Sequence, residues 1–279
     1  MAHQKRTKRQ KTEIAIDLED SIAKSTKQSW SNKFRINQQF VMNDVHRSFY
    51  DTLMLPNTKM AIVDGRAGTA KTYLAALAAL KLLQNKEIEN IVYIRSIIES
   101  ASKSIGSLPG ELEEKFHPWA MPLIEKLDEI VGVTVSQDLI KNEIIKCVPI
   151  NFARGLTFKN SFVIVDEIQN FCFKEILTCL SRFGHGTKYA VIGDSMQSDI
   201  NGKSGFSFVF NRFNDEESQL HGIHTFKFGE NEVVRSEILK FIVKKLEINE
   251  HIKSASTLLM EHSSQDRVTP EWRPQQKLA

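Results

Sequence analysis

One short segment limits the possible folds of this chain more than any other. Residues 64–72 read DGRAGTAKT, and they join an apolar run at 60–63 to an almost wholly apolar stretch at 72–84. The run has the composition of a buried strand, and the longer stretch has that of a helix. A glycine-containing turn between them predicts a strand–loop–helix unit of an α/β fold.

The loop of this unit is close to the phosphate-binding pattern G-x-x-x-x-G-K-[ST], known as the P-loop. In that pattern backbone N–H groups and the helix dipole face the phosphates, the lysine reaches the β and γ phosphates, and the hydroxyl holds Mg²⁺. We therefore predict a site for ATP and Mg²⁺. The predicted nucleotide-binding residues are Gly65, Arg66, Ala67, Gly68, Thr69, Ala70, Lys71 and Thr72, of which Thr72 is also a metal ligand.

One position departs from the pattern, because Ala70 stands where the second glycine precedes the lysine. Its methyl group either crowds the phosphate or strains the loop, the latter if the backbone needs a positive φ. The substitution bears on turnover more than on nucleotide binding.

A carboxylate pair follows a second apolar run. Residues 162–165 lead into Asp166 and Glu167, which places Asp166 at the end of a buried strand. We predict that Asp166 holds Mg²⁺ through water and that Glu167 orients and deprotonates an attacking water. Two acids after a strand can also begin a solvated helix. The adjacent glutamate favours hydrolysis over phosphate transfer to a small molecule.

A third apolar run, residues 189–192, ends in GDSMQSD, which contains Gln197. An amide there can donate to a γ-phosphate and accept from the attacking water, so Gln197 is a predicted catalytic residue. The alternative is an ordinary turn with one exposed amide.

Short apolar runs alternate with helical patterns along the body of the chain. This alternation predicts an α/β fold with a doubly wound, mostly parallel sheet flanked by helices. The predicted strands are 60–63, 91–94, 144–150, 162–165, 189–192 and 223–228, and the predicted helices are 38–53, 72–84, 111–131, 174–182, 205–213 and 233–246.

The ends of the chain differ from the body. We predict a basic flexible arm at 1–29, one ATPase domain at 30–253 and a mobile tail at 254–279. Five lysines and arginines lie within the first eleven residues, although the net charge is only +3. The arm could contact RNA or single-stranded DNA, or simply keep the chain soluble. With no apolar segment of membrane-spanning length, we expect a cytoplasmic protein without membrane contact.

Together these segments resemble the PhoH-like family of P-loop ATPases, which is similar to the first RecA-like domain of superfamily 1 helicases. The more distinctive shared motifs are LPGEL at 108–112, DEIQN at 166–170, GDSMQSD at 193–199 and VVR at 233–235.

The resemblance implies further roles. Gln38, or else Gln39, reads the adenine edge, and Arg235 approaches the γ-phosphate as a catalytic residue, with Arg154 a weaker candidate. It also implies a homo-oligomer, a hexameric ring, and a link to RNA or single-stranded DNA. Because the chain has one such domain, we expect the arginine to come from a neighbouring subunit. The rival interpretations are a nucleotide-gated binding module with negligible hydrolysis and a small-molecule phosphotransferase.

Overall fold

The computed structural model describes residues 34–96, 112–200 and 202–234, together with Ile238. The chain divides into two compact units, Met1–Val233 and Val234–Ala279. The description below concerns the first unit. The predicted arm, the predicted tail, most of LPGEL and Arg235 lie outside the described residues.

The centre of the first unit is a six-stranded sheet in the order β3-β2-β4-β5-β1-β6, and every neighbouring pair is parallel. All six predicted strands are found, so the α/β prediction is confirmed. Since the strands are parallel, their carboxyl ends meet at one edge. The strands are β1 Met60–Gly65, β2 Asn90–Arg95, β3 Ile145–Pro149, β4 Ser161–Asp166, β5 Lys188–Gly193 and β6 Ile223–Phe228.

Helices cover both faces of the sheet. Two of them, Val133–Lys141 and Glu216–Leu220, were not predicted, and the predicted helix at 233–246 lies mostly outside the described residues. Short 3₁₀ helices occur at Ile150–Phe152, Ile168–Asn170 and Glu230–Glu232. The α-helices are α1 Asp44–Met54, α2 Lys71–Gln84, α3 Leu112–Val131, α4 Val133–Lys141, α5 Phe173–Leu180, α6 Phe206–Arg212 and α7 Glu216–Leu220.

The start of the first helix differs from the prediction. Helix α1 begins at Asp44, because the side chain of Asn43 accepts a 2.9 Å hydrogen bond from the backbone N–H of His46 and caps the helix. An asparagine in this position satisfies one of the four free N–H groups of the first turn. The predicted start at residue 38 is therefore wrong, and Gln38 precedes the helix in irregular chain.

Alternate residues of each strand enter two separate cores. Ala61 and Val63 of β1 pack with α2, whereas Ile62 packs with the side of the sheet that α5 and α6 cover. Helix α2 is buried along most of its length, including Leu74 and other leucines. Each buried leucine contributes roughly 1.5–3 kcal/mol. The loop between β1 and α2 is thus held between two firmly packed elements.

Candidate functional site

Two positions of the loop require glycine, each for a different structural reason. A Cβ on Gly65 would lie 2.6 Å from Cβ of Phe228 on β6, so only glycine lets the two strands approach this closely. Gly68 has φ +81°, in the left-handed region that other residues rarely adopt. The chain can therefore turn over the carboxyl end of β1 and enter α2.

Ala70 is the last residue before α2, and it is also left-handed, with φ 60° and ψ 17°. This conformation costs an L-residue with a Cβ roughly 1–2 kcal/mol. Of the two effects considered for the methyl group, backbone strain is present in the structure.

The Lys71 ammonium lies inside the loop. Nζ donates to the carbonyl oxygens of Gly65 at 2.5 Å and Arg66 at 2.7 Å, and it lies 3.3 Å from Thr69 Oγ1. Burial lowers the pKa of Lys71, and nearby carboxylates oppose that shift. The ammonium is therefore bonded to the carbonyl oxygens of its own loop. The opposing acids are Asp194, Asp166, Glu167 and Asp64.

The loop is tied to the fold from two directions. His46 of α1 is 2% exposed, and its Nε2 lies 3.2 Å from the carbonyl oxygen of Thr69, to which it donates. Burial lowers the pKa of His46, which favours the neutral ring. On the other side, Arg66 forms a 3.2 Å ion pair with Glu230 after β6. His46 was not singled out from the sequence.

Thr72 and Asp166 meet where a metal ion would be expected. Thr72 Oγ1 lies 3.5 and 3.4 Å from the two carboxylate oxygens of Asp166, which is 3% exposed at the end of β4. Among the described residues no group of three or more His, Cys, Asp or Glu could hold a metal. A hydroxyl and one carboxylate nevertheless fit Mg²⁺, which commonly takes its other ligands from water and phosphates.

A tyrosine from the neighbouring strand also contacts Asp166. Tyr93 of β2 is fully buried, and its hydroxyl donates to Asp166 Oδ2 at 2.8 Å. Burial, and then the charge of Asp166, raise the pKa of Tyr93 well above its usual value. The hydroxyl is therefore protonated and available as a donor.

Glu167 adopts a left-handed backbone, with φ 56° and ψ 39°. Its Oε2 accepts a 2.5 Å hydrogen bond from Gln169, and its Oε1 lies 3.8 Å from an Arg95 nitrogen at the end of β2. Burial and the neighbouring Asp166 raise the pKa of Glu167, whereas Arg95, the Gln169 hydrogen bond and Lys71 lower it. A carboxylate with a raised pKa is better matched to proton abstraction near neutral pH.

Gln169 links three loops of the site. Its side chain is 2% exposed. Its Nε2 donates a hydrogen bond to Glu167 Oε2, and its Oε1 accepts a hydrogen bond of 3.0 Å from the backbone N–H of Asp194. Asp194 Oδ2 in turn accepts from the N–H of Ala67 at 3.0 Å. The loops after β4 and β5 and the phosphate loop therefore form one hydrogen-bonded unit.

Gln197 lies in the turn after β5, with an exposed side chain. On the C-terminal side of Gln197, the side-chain amide of Asn170 donates to Asp199 Oδ2 at 3.1 Å, and the backbone N–H of Asp199 donates to Asn170 Oδ1 at 2.8 Å. On its N-terminal side, the backbone N–H of Gln197 donates to the carbonyl oxygen of Asp194 at 3.1 Å. The turn is thus fixed beside the carboxylates while the amide of Gln197 faces solvent.

An open cleft of about 520 Å³ adjoins the phosphate loop at the ends of β1, β5 and β6. Its wall includes Asp64, both of whose carboxylate oxygens are occupied by Ser195, through N–H at 2.9 Å and Oγ at 2.8 Å. Asp64 therefore links the carboxyl end of β1 to the loop after β5 through these two hydrogen bonds.

The remaining predicted residues are less closely connected with the site. Gln38 and Gln39 are exposed in the segment before α1, where the ring of Phe40 packs on Tyr73 of α2. Arg154 is exposed.

Residues 41–247 match the family described as PhoH-like protein. The chain belongs to this family. It is 35% identical over 189 residues to a PhoH-like protein of Synechocystis, and 34% identical over 182 residues to one of Bacillus subtilis. These matches cover 67% and 64% of this chain and 56% of each relative, so the chain spans little more than half the length of these PhoH-like relatives.

Among solved structures, the Pif1 helicase of Candida albicans is similar over 68% of this chain and 40% of its own, at 16% identity and a TM-score of 0.31. The fold of a P-loop NTPase follows from the parallel sheet, the loop after β1 and the acids after β4. No helix among the described residues of this PhoH-like chain combines the length and apolar character that spanning a membrane requires.

Proposed function

We propose that this PhoH-like protein binds ATP with Mg²⁺ and hydrolyses it. The observation that carries the proposal is the convergence of Lys71 and Thr72, after β1, with Asp166 and Glu167, at the end of β4. The two strands lie on either side of β5, and Thr72 Oγ1 is 3.4 Å from Asp166. The proposed catalytic residues are Lys71, Glu167, Gln197 and Arg235, the proposed metal ligands are Thr72 and Asp166, and the proposed nucleotide-binding residues are Gln38 and loop residues 65–72.

The reaction requires a nucleophilic water and stabilisation of the γ-phosphoryl charge. Bound Mg²⁺ would neutralise charge on the β- and γ-phosphate oxygens. Glu167, held by Gln169 and facing Arg95, accepts the proton of the attacking water. Lys71 moves its hydrogen bonds from the carbonyl oxygens of its own loop to phosphate oxygens.

The charge balance of the site is the reason for proposing that subunits cooperate. The described site holds the carboxylates of Asp64, Asp166, Glu167 and Asp194 beside the cations Lys71 and Arg95. The third cation, Arg66 of the phosphate loop, is itself paired with Glu230. A bound triphosphate adds further negative charge there. We assign the missing positive charge to Arg235 of a neighbouring subunit in a ring, because an arginine that reaches the γ-phosphate from a second subunit strongly accelerates cleavage.

The nucleic-acid partner is proposed from the sequence. The five positive charges at the N-terminus suit phosphate contacts, and the proposed partner is RNA or single-stranded DNA. The proposed compartment is the cytoplasm.

A second function, a nucleotide-gated module with negligible hydrolysis, is favoured by one observation, the strained Ala70 in the phosphate loop. The two functions share nucleotide binding and differ in turnover. Nucleotide titration together with phosphate release therefore separates them: binding with release supports the ATPase, and binding without release supports the module.

Lys71→Ala tests the site itself. We expect this variant to lose tight ATP binding, because it removes the ammonium of the phosphate loop. Lys81→Ala is the matched control, since Lys81 lies in the last turn of the same helix and bonds Gln84. Equal ATP affinity in folded Lys71→Ala and wild type would contradict the assignment.

A further inference from the structure

The register of β2 and β4 brings Tyr93 to the metal-binding end of the site. Arg95 is paired with Asp166 across the two strands, and Tyr93 lies two residues earlier, on the same face of the sheet. A diagonal neighbour in a sheet is within reach of an aromatic side chain. The Tyr93 ring therefore extends along the strand direction and places its hydroxyl 2.8 Å from Asp166 Oδ2.

The hydrogen bonds of Asp166 orient its carboxylate. Tyr93 donates to Oδ2 at 2.8 Å, and the backbone N–H of Glu167 donates to Oδ1 at 3.0 Å. With each oxygen held by one donor, the carboxylate is turned so that both oxygens also face the Thr72 hydroxyl, at 3.4 and 3.5 Å. Because Asp166 is 3% exposed, bulk water has little access to replace a lost donor.

We propose that Tyr93 is a positioning residue for the divalent cation that accompanies the nucleotide, acting through the carboxylate of Asp166. This inference rests on the proposed function. Partners that orient a metal-ligating group typically contribute 10- to 100-fold to metal affinity. Loss of the hydroxyl should leave the phosphate loop in place, because Lys71 holds the loop through the carbonyl oxygens of Gly65 and Arg66, whereas the Tyr93 hydroxyl bonds Asp166. It should therefore weaken only the metal-dependent part of nucleotide binding.

Tyr93→Phe removes the hydroxyl and keeps the buried ring. The matched control is Tyr189→Phe, because Tyr189 of β5 is equally buried and donates to the carbonyl oxygen of Cys179 at 3.2 Å, in the core on the other face of the sheet. Two measurements on the full chain are compared: ADP affinity in EDTA, and Mn²⁺ affinity of the ADP complex by electron paramagnetic resonance. Thermal unfolding shows how far each substitution affects stability.

We expect Tyr93→Phe to weaken Mn²⁺ binding by about 10- to 100-fold with ADP affinity in EDTA nearly unchanged, and Tyr189→Phe to change neither. Unchanged Mn²⁺ affinity in Tyr93→Phe would overturn the role of Tyr93 and leave the proposed function standing. An equal loss of ADP affinity in EDTA would also overturn it, since the hydroxyl would then support the whole site. If wild type binds ADP no better with Mg²⁺ or Mn²⁺ than in EDTA, the metal site of the proposed function fails as well.

Discussion

Ala70→Gly should stabilise the protein, although glycine usually destabilises. Ala70 has φ 60° and ψ 17°, which costs a residue with a Cβ roughly 1–2 kcal/mol and costs glycine almost nothing. The greater freedom of glycine in the unfolded chain offsets about 0.5–1 kcal/mol of that gain. Ala70 is half-buried against the core, so losing its methyl group offsets roughly another 0.4 kcal/mol. The expected net stabilisation is therefore between zero and about 1 kcal/mol, or a rise in Tm of at most roughly 4 °C for a domain of this size.

Ala78→Gly is the control for this prediction, because Ala78 is fully buried within α2. There the same change costs about 1 kcal/mol in helix propensity and about 0.8 kcal/mol for the lost buried methyl group. Urea unfolding of both variants, with m-values compared to wild type, measures the two effects. If Ala70→Gly destabilises the protein as much as Ala78→Gly does, the left-handed backbone at Ala70 stores no strain. A stabilised variant with faster turnover would also show that the strained loop restrains hydrolysis.

Three other predictions concern catalysis and partners. Arg95→Gln should raise the pKa of Glu167, because it removes a positive charge beside that carboxylate. The acidic limb of the profile of kcat against pH should therefore move to higher pH. An unchanged acidic limb would exclude contact between Arg95 and the base. Arg235→Ala and Lys71→Ala subunits, each inactive alone, should regain some ATPase activity when mixed, because a mixed interface pairs an intact phosphate loop with an intact arginine. Mixed assemblies that are confirmed but stay inactive would contradict action between subunits. Deleting residues 1–12 should reduce the salt dependence of single-strand binding, by up to roughly 0.7 in log–log slope for each charge that contacts phosphate; identical slopes would make the arm a solubility feature.

The strands could be predicted from the sequence because each is a short local run rich in β-branched, apolar or aromatic residues, even in β3 and β6, where lysine or histidine interrupts it. The loop at 64–72 could also be predicted, since its glycines, lysine and threonine are consecutive. In contrast, Tyr93 and Asp166 are 73 positions apart, and their contact depends on which strands are neighbours and in what register. Sequence patterns within one strand contain no such information. The same reason explains why His46 was missed, because its partner Thr69 belongs to another element.

The helix errors have local causes. Helix α4 was missed because it begins Val-Thr-Val after Gly132, and β-branched residues favour strands. Helix α7 is only five residues long, too short for a period of 3.6 to be visible. At α1 the apolar pattern extends before the capping Asn43, so periodicity alone placed the start too early. A search for capping residues would have corrected that boundary.

The most direct test of the proposed ATP hydrolysis is single-turnover release of phosphate from ATP with Mg²⁺, compared between wild type and Glu167→Gln. We expect the variant still to bind ATP, because Lys71, Thr72 and Asp166 are intact, and cleavage to slow by about 10² or more without the general base. Wild-type cleavage by the variant would contradict the role of Glu167. Saturating ATP binding by wild type with no phosphate released would contradict the claim that this PhoH-like protein is an ATPase.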